Sequence, residues 1–111
     1  MDKKIKKLLK DIQIAIEAIE SYIGQKKIFA DYERNLLLKA AVERNLITVG
    51  EAVNLLLKIN PGIGISNARR IVDVRNRLTH GYDDIDDTQI WNIVINRLPL
   101  LNEEVQDLLN E

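Results

Sequence analysis

Residues 31–60, DYERNLLLKAAVERNLITVGEAVNLLLKIN, form the longest apolar-rich stretch of the chain. Asp31 is a suitable N-cap at its start, and Pro61-Gly62 stops helical structure just after Asn60. Between these ends the apolar residues cover much of the helical circumference, as in a helix that several neighbours contact. The stretch therefore predicts one long helix at the centre of an all-α bundle.

Two further amphipathic patterns flank this central helix. Residues 2–24 repeat apolar side chains at steps of three and four, and Gly24 can cap the resulting helix. After the turn at residues 60–64, Ser66 is a suitable N-cap for a helix that runs through Leu78. Gly81 can adopt the left-handed conformation just after that helix, so the sequence predicts helices on both sides of the central one.

A last helical pattern runs to the end of the chain. Asp87 or Thr88 can cap a helix that starts at Gln89, and Pro99 would bend it or divide it into two. No segment has the alternating pattern of a strand. The prediction is an up-and-down bundle of four principal helices, with a kink or a short fifth helix at Pro99, in one domain over residues 1–111.

Composition and charge exclude several classes of site. The chain has no cysteine and one histidine, which excludes disulfides and thiolate metal sites and leaves little for a zinc site. We therefore expect no metal and no cofactor. The net charge of −1 is unlike that of a dedicated nucleic-acid binder, so phosphate binding would depend on local patches.

The N-terminal segment does not look like a targeting signal. Its lysines precede apolar positions that alternate with Asp11, Gln13 and Glu17, so no signal-peptide core is formed. No apolar run is long enough to span a bilayer. We expect a soluble cytoplasmic protein with no membrane partner.

Residues 75–82, RNRLTHGY, are the strongest candidate for chemistry because they hold the only histidine, two arginines and a tyrosine. Histidine exchanges protons near neutral pH, and arginine is a permanent, forked donor to phosphate oxygens. The pair suggests phosphoryl chemistry. The alternative is structural: Arg75 is a surface charge, and His80 is favoured near a helix C-terminus. Spacing alone leaves both interpretations open.

The separation of Arg75 and His80 limits how they act together. Five residues correspond to about 7.5 Å along a helix and about 140° around it. The two side chains therefore do not share one ideal face. Because arginine is long, both groups can still flank one phosphate if the helix loosens at His80.

The pattern Arg75-Asn76-x-x-x-His80-x-Tyr82 resembles the R-x4-H-x-Y motif of the HEPN superfamily, specifically the HepT-like toxins. The resemblance extends over nearly the whole chain, because other landmarks follow in the same order. These are Ala41-Val42-Glu43-Arg44-Asn45-Leu46, Gly50-Glu51-Ala52, Trp91 and Leu98-Pro99-Leu100.

The resemblance implies an all-α HEPN-like domain that acts as a metal-independent endoribonuclease toxin and forms a homodimer, with the motifs of two chains at the interface. On this interpretation His80 works on a proton of the RNA and Arg75 stabilises charge at phosphorus. Asn76 orients a phosphate oxygen or His80. Cleavage needs an acid and a base while one chain supplies one histidine, which independently favours a dimer. Three further arginines could steer the RNA backbone: Arg69, Arg70 and Arg77.

Tyr82 has two interpretations. It is either a half-buried aromatic after a helix cap or, as the resemblance implies, the residue that a nucleotidyltransferase antitoxin of the MntA type adenylylates. Such a group would fill the phosphate site and repel RNA.

Two charged residues of the central helix, Glu43 and Arg44, are expected to be structural and to satisfy partners inside the bundle. Orientation of Arg75 is an alternative role for them.

A competing class is a non-catalytic HEPN interaction module that binds a nucleotidyltransferase or a nucleotide. The near-neutral charge and the lack of a series of aromatic residues for base stacking favour it. A purely structural bundle is a third class.

Overall fold

The computed structural model describes residues 2–80 and 85–111. All regular structure in these ranges is helical, which confirms the predicted all-α class. The elements are α1 (Lys3–Ile23), α2 (Phe29–Arg34), α3 (Leu36–Ile59), α4 (Ala68–Thr79), α5 (Asp87–Asn92) and α6 (Leu98–Leu109), and a π-helical turn (Ile93–Arg97) joins α5 to α6.

Helix α3 lies at the centre of the bundle. It packs against α1 on one side and α4 on the other, while α1 also packs against α6. None of the described helices is both long and apolar enough to cross a membrane. The described hydrophobic side chains that have no exposed surface belong to α1, α3 and α6: Leu9, Ile12, Ile16, Ile19, Val42, Val53, Leu56 and Val105.

The first helix begins and ends where its sequence predicts. The Asp2 carboxylate accepts the Lys4 backbone N–H at 2.7 Å and so satisfies a free donor at the N-terminus. At the other end Gly24 has a φ of 77° and donates its N–H to the Glu20 carbonyl. That backbone conformation suits glycine, so the predicted cap is confirmed.

The predicted helix over residues 31–60 is wrong at its start, because the chain leaves helical geometry at Asn35. The Asn35 side chain accepts the Leu38 backbone N–H at 3.0 Å and thereby begins α3. Asp31 is not an N-cap but lies inside α2, paired with Arg34 at 2.7 Å. Asparagine competes locally for backbone donors, which explains the break.

The predicted N-cap of α4 is also wrong. Asn67 is the residue before the helix, in the left-handed conformation and without a side-chain cap. Ser66 instead donates its hydroxyl to Glu104 of α6 at 2.7 Å and its backbone N–H to the same carboxylate at 3.0 Å. A tertiary contact has therefore replaced the expected local one.

The last helical segment begins slightly earlier than predicted, and its regular α-helical geometry is interrupted close to Pro99. Asp86, rather than Asp87 or Thr88, caps α5 in a reciprocal capping box with Gln89. The π-helical turn ends one residue before Leu98-Pro99. Proline has no N–H and its ring crowds the carbonyl four residues earlier, so a widened turn accommodates it.

An aromatic cluster fixes α2 to α5. The ring of Tyr32 lies 5.4 Å from that of Trp91, and Phe29 meets Trp91 edge to face at 5.8 Å. Beside them Lys39 of α3 pairs with Asp87 of α5 at 2.8 Å. The start of α5 is therefore held against both α2 and α3.

Candidate functional site

The predicted motif lies at the C-terminal end of α4. His80 follows the last helical residue with φ −89° and ψ 1°, and its N–H donates to the Asn76 carbonyl at 3.0 Å. The His80 side chain is exposed, whereas Arg75 and Asn76 are half-buried. The structure thus places Arg75 and Asn76 in the last two turns of α4 and His80 directly after its end.

Arg75 lies where α4 crosses α3, which the sequence did not predict. A Cβ built on Gly50 would overlap the Arg75 Cβ and would lie 2.8 Å from its Cγ. The base of the Arg75 side chain therefore packs directly on the backbone of α3. Its Nε is buried and has no hydrogen-bond partner among the described residues.

The other predicted arginines separate into two groups. Arg70 and Arg77 both line a cavity beside α4, and the Nε of Arg77 pairs with Asp73 at 3.1 Å. Arg69 is exposed and does not line that cavity, and neither do Arg75 and His80. The structure therefore brings only two of the predicted RNA-binding arginines to one concave surface.

This cavity has a volume of about 500 Å³ and lies between α4 and the segment from α5 to α6, against one side of α3. Its apolar lining includes Leu46, Val49, Ile71, Val74, Ile93, Leu98 and Leu101. Sequence reasoning missed the cavity and two of its charged residues, Arg97 and Glu104. Glu104 contacts Ser66 across 38 residues of chain, a distance at which periodicity carries no information.

Glu43 belongs to a charged cluster at the junction of α3 and α5. Burial raises the pKa of Glu43, the Asp87 carboxylate raises it further, and the Lys39 ammonium lowers it. The hydrogen bond to Asp87 is the main cause of a raised pKa of Lys39. The described residues include no group of three histidine, aspartate or glutamate side chains that could hold a metal ion.

The expected structural role fits Glu43 better than Arg44. Glu43 is half-buried beside Lys39, but Arg44 is exposed on the outside of α3, so the expectation of a buried partner for Arg44 is wrong. Within the described part of the chain no hydrogen bond or ion pair joins Glu43 to Arg75. The predictions for Gly81 and Tyr82 concern positions outside the described residues.

The all-helical fold agrees with a comparison of the chain with known families. Residues 12–108 match the family described as Ribonuclease HepT-like. The chain belongs to this family of the HEPN superfamily, which confirms the resemblance found in the sequence.

Two relatives carry ribonuclease names. One, from Methanocaldococcus jannaschii, is named as a γ-glutamylcyclotransferase and candidate RNase. It is 29% identical to this chain over the full length of the chain. The match covers 50% of that relative, so the chain spans about half of its length. The other, from Caldanaerobacter subterraneus subsp. tengcongensis, is named as a candidate RNase. It is 25% identical to this chain, and the match covers 94% of this chain and 89% of the relative. No solved structure matches the chain significantly.

Proposed function

We propose that the chain is a metal-independent endoribonuclease toxin of a toxin–antitoxin pair, with Arg75 and His80 as its catalytic residues. The observation that carries the proposal is the position of both residues at the end of α4 in a member of the HepT-like ribonuclease family. Arg75 is held at its base by the contact with Gly50, while His80 is exposed to an incoming substrate.

The proposed reaction transfers the phosphate of an RNA linkage from the 5′-oxygen to the neighbouring 2′-hydroxyl. A base removes the 2′-proton, the 2′-oxygen bonds to phosphorus, and the bond from phosphorus to the 5′-oxygen breaks as an acid protonates the leaving oxygen. His80 provides proton transfer. The guanidinium of Arg75 stabilises the negative charge that grows on the phosphoryl oxygens, and Asn76 orients one of them or His80.

This chemistry favours a homodimer as the active form. A single chain supplies one histidine, whereas the step above uses an acid and a base at the same time. A two-fold axis that brings the ends of two α4 helices together supplies both.

The proposed control acts through Tyr82 in the cytoplasm. A nucleotidyltransferase antitoxin of the MntA type would transfer an adenylyl group from ATP, so that the tyrosine oxygen bonds to the α-phosphorus and pyrophosphate leaves. Tyr82 is two residues from His80 in sequence, and its new phosphate would compete with RNA for arginine donors.

The test is cleavage of RNA by the purified chain in the presence of EDTA. His80→Ala should abolish cleavage and change the free energy of unfolding by less than about 0.5 kcal/mol, as for an exposed side chain. Arg75→Ala should also abolish cleavage, with a measurable loss of stability because its base packs on α3. Thr79→Ala, an exposed neighbour on the same helix, is the matched control.

Cleavage by His80→Ala at the parental rate would show that the catalytic assignment is wrong, and loss of parental cleavage in EDTA would contradict metal independence. RNA or nucleotide binding without any cleavage by the parent would instead support a non-catalytic interaction module.

A further inference from the structure

We propose that the cavity between α4 and the α5–α6 segment binds one unpaired nucleotide of the RNA, with its base on the apolar lining and its phosphates at Arg70 and Arg97. This inference rests on the proposed ribonuclease function, because it identifies the class of RNA that the proposed ribonuclease would bind. It predicts a preference for single-stranded RNA.

The charges that line the cavity favour an anion. Three arginines and two carboxylates line it: Asp73 pairs with Arg77, and Glu104 keeps its charge while it accepts hydrogen bonds from Ser66. Arg70 and Arg97 form no ion pair with any carboxylate in the described part of the chain. An incoming phosphate therefore meets two guanidinium groups whose donors are available to it.

The lining also requires a partly apolar ligand. A volume of about 500 Å³ falls within the range of small-molecule pockets, which combine apolar walls with a few polar groups. Ile71 and Val74 of α4 face Leu98 and Leu101 of α6 across the space. A flat nucleobase that is not stacked in a duplex fits such walls.

The π-helical turn contributes directly to this surface, because Ile93 and Arg97 are its first and last residues and both line the cavity. Turns of this kind widen a helix locally and occur often at functional sites. At the opposite end the bond between Ser66 and Glu104 holds the start of α4 against α6. The cavity is thus held at one end by a tertiary contact and is shaped in part by the π-helical turn.

The cavity continues towards the motif along α4. Arg70 and Arg77 lie seven residues apart, which places them on one side of the helix and about 10 Å apart along its axis. Arg77 precedes His80 by three residues, or about 4.5 Å. A strand with one base in the cavity can therefore run past Arg77 to the catalytic end of the same helix.

Only an unpaired nucleotide can use this site. In an RNA duplex the base faces are stacked and the deep major groove is closed to protein side chains, so the base cannot reach apolar walls between two helices. The proposed occupant is accordingly a loop, an end or another single-stranded segment of RNA.

The experiment measures binding of a fluorescein-labelled single-stranded RNA decamer by anisotropy, with the same decamer in a duplex for comparison. The full-length chain carries His80→Ala, so that the RNA stays intact. Two changes are added separately: Val74→Trp, which fills the cavity, and Arg70→Ala with Arg97→Ala, which removes its available cations. Arg34→Ala with Arg44→Ala, which removes two exposed arginines outside the cavity, is the matched charge control.

We expect each cavity change to weaken binding of the single strand by about tenfold or more, the scale of one lost stacked base. The duplex should bind more weakly than the single strand. The control with Arg34→Ala and Arg44→Ala should leave binding within about twofold of the His80→Ala parent. In the His80→Ala chain with no cavity substitution, an RNA that carries 4-thiouridine should cross-link to peptides that contain Ile71 or Ile93. This result does not depend on how Val74→Trp folds.

Unchanged binding by a folded Val74→Trp chain, or cross-links confined to other surfaces, would overturn the inference. The inference would also be overturned if the duplex bound as tightly as the single-stranded decamer. The same holds if a free nucleoside monophosphate, added as a competitor, bound as tightly as that decamer. These outcomes can be told apart from failure of the proposed function. If the parent binds RNA in the cavity but does not cut it, only the catalytic assignment is contradicted. If Val74→Trp in the otherwise unchanged chain cuts RNA normally, only the role of the cavity is contradicted.

Discussion

Gly50 of α3 lies so close to Arg75 of α4 that no side chain fits between them, because a Cβ on Gly50 would overlap the Arg75 Cβ. The backbone carbonyl oxygen of Ile71 would lie 3.3 Å from the same Cβ. The angle and spacing at which α4 crosses α3 therefore depend on a hydrogen atom at residue 50. A position distant in sequence from the motif thus sets where Arg75 lies.

Replacement of Gly50 by alanine should displace α4. We expect a loss of about 1–3 kcal/mol in the free energy of unfolding, the usual cost of overpacking at a tight contact. RNA cleavage should fall as well, because Arg75 moves with its helix. Thermal melting and a cleavage assay measure both effects.

The control for this substitution is Gly64→Ala, since a Cβ at Gly64 meets nothing within 4 Å. Equal stability and equal activity of the two alanine variants would show that the contact between Gly50 and Arg75 does not constrain α4.

Glu43→Gln should change the pH dependence of stability. Burial and Asp87 raise the pKa of Glu43 in the folded chain above its ordinary value of 4.5. The contribution of this group to stability is therefore present below pH 4.5 and is lost as pH rises through the raised pKa. At pH 7 the glutamine variant should be more stable than the parent, and near pH 4 the two should agree.

The expected gain at pH 7 is below about 1 kcal/mol, because Glu43 is only half-buried and solvent screens its charge. Urea unfolding at both pH values measures the gain. Glu51→Gln removes an exposed carboxylate from the same helix and serves as the control. A glutamine variant less stable than the parent at pH 7 would show that ionised Glu43 is net stabilising through Lys39.

The proposed homodimer predicts a mass twice that of the 12.7 kDa chain in sedimentation velocity at micromolar concentration. Cleavage per chain should decrease on dilution below the dissociation constant. An excess of His80→Ala chain should inhibit the parent, because mixed dimers carry one histidine. A strict monomer with full activity would contradict the argument for two histidines.

Adenylylation of Tyr82 should occur when the chain is incubated with its cognate nucleotidyltransferase and ATP, and cleavage should then stop because the added phosphate competes for arginine donors. Intact-mass measurement should show added adenylyl groups. Tyr82→Phe should keep most of the activity and escape the block, while Tyr22→Phe, a change at an exposed tyrosine of α1, should behave as the parent. Inhibition that persists in Tyr82→Phe would indicate an antitoxin that acts by binding alone.

Helical periodicity was sufficient to predict the fold class, because hydrogen bonds and side-chain faces repeat within a few residues of each other. The same local character explains the correct cap at Gly24. It also explains the errors, since at Asn35 and Ser66 several polar partners were chemically acceptable. At Asn35 a local bond to Leu38 was preferred, and at Ser66 a carboxylate from α6 was preferred.

The sequence by itself determined the all-α class, the family and the position of Arg75 and His80 at one helix end, since these depend on local spacing. The tertiary structure alone decided that Arg75 packs on Gly50, and that Arg70 and Arg97 line one cavity. These contacts are made between different helices, and the distance between those helices depends on side-chain volume and on the π-helical turn. Packing of this kind is a property of several distant segments at once, and no single segment encodes it.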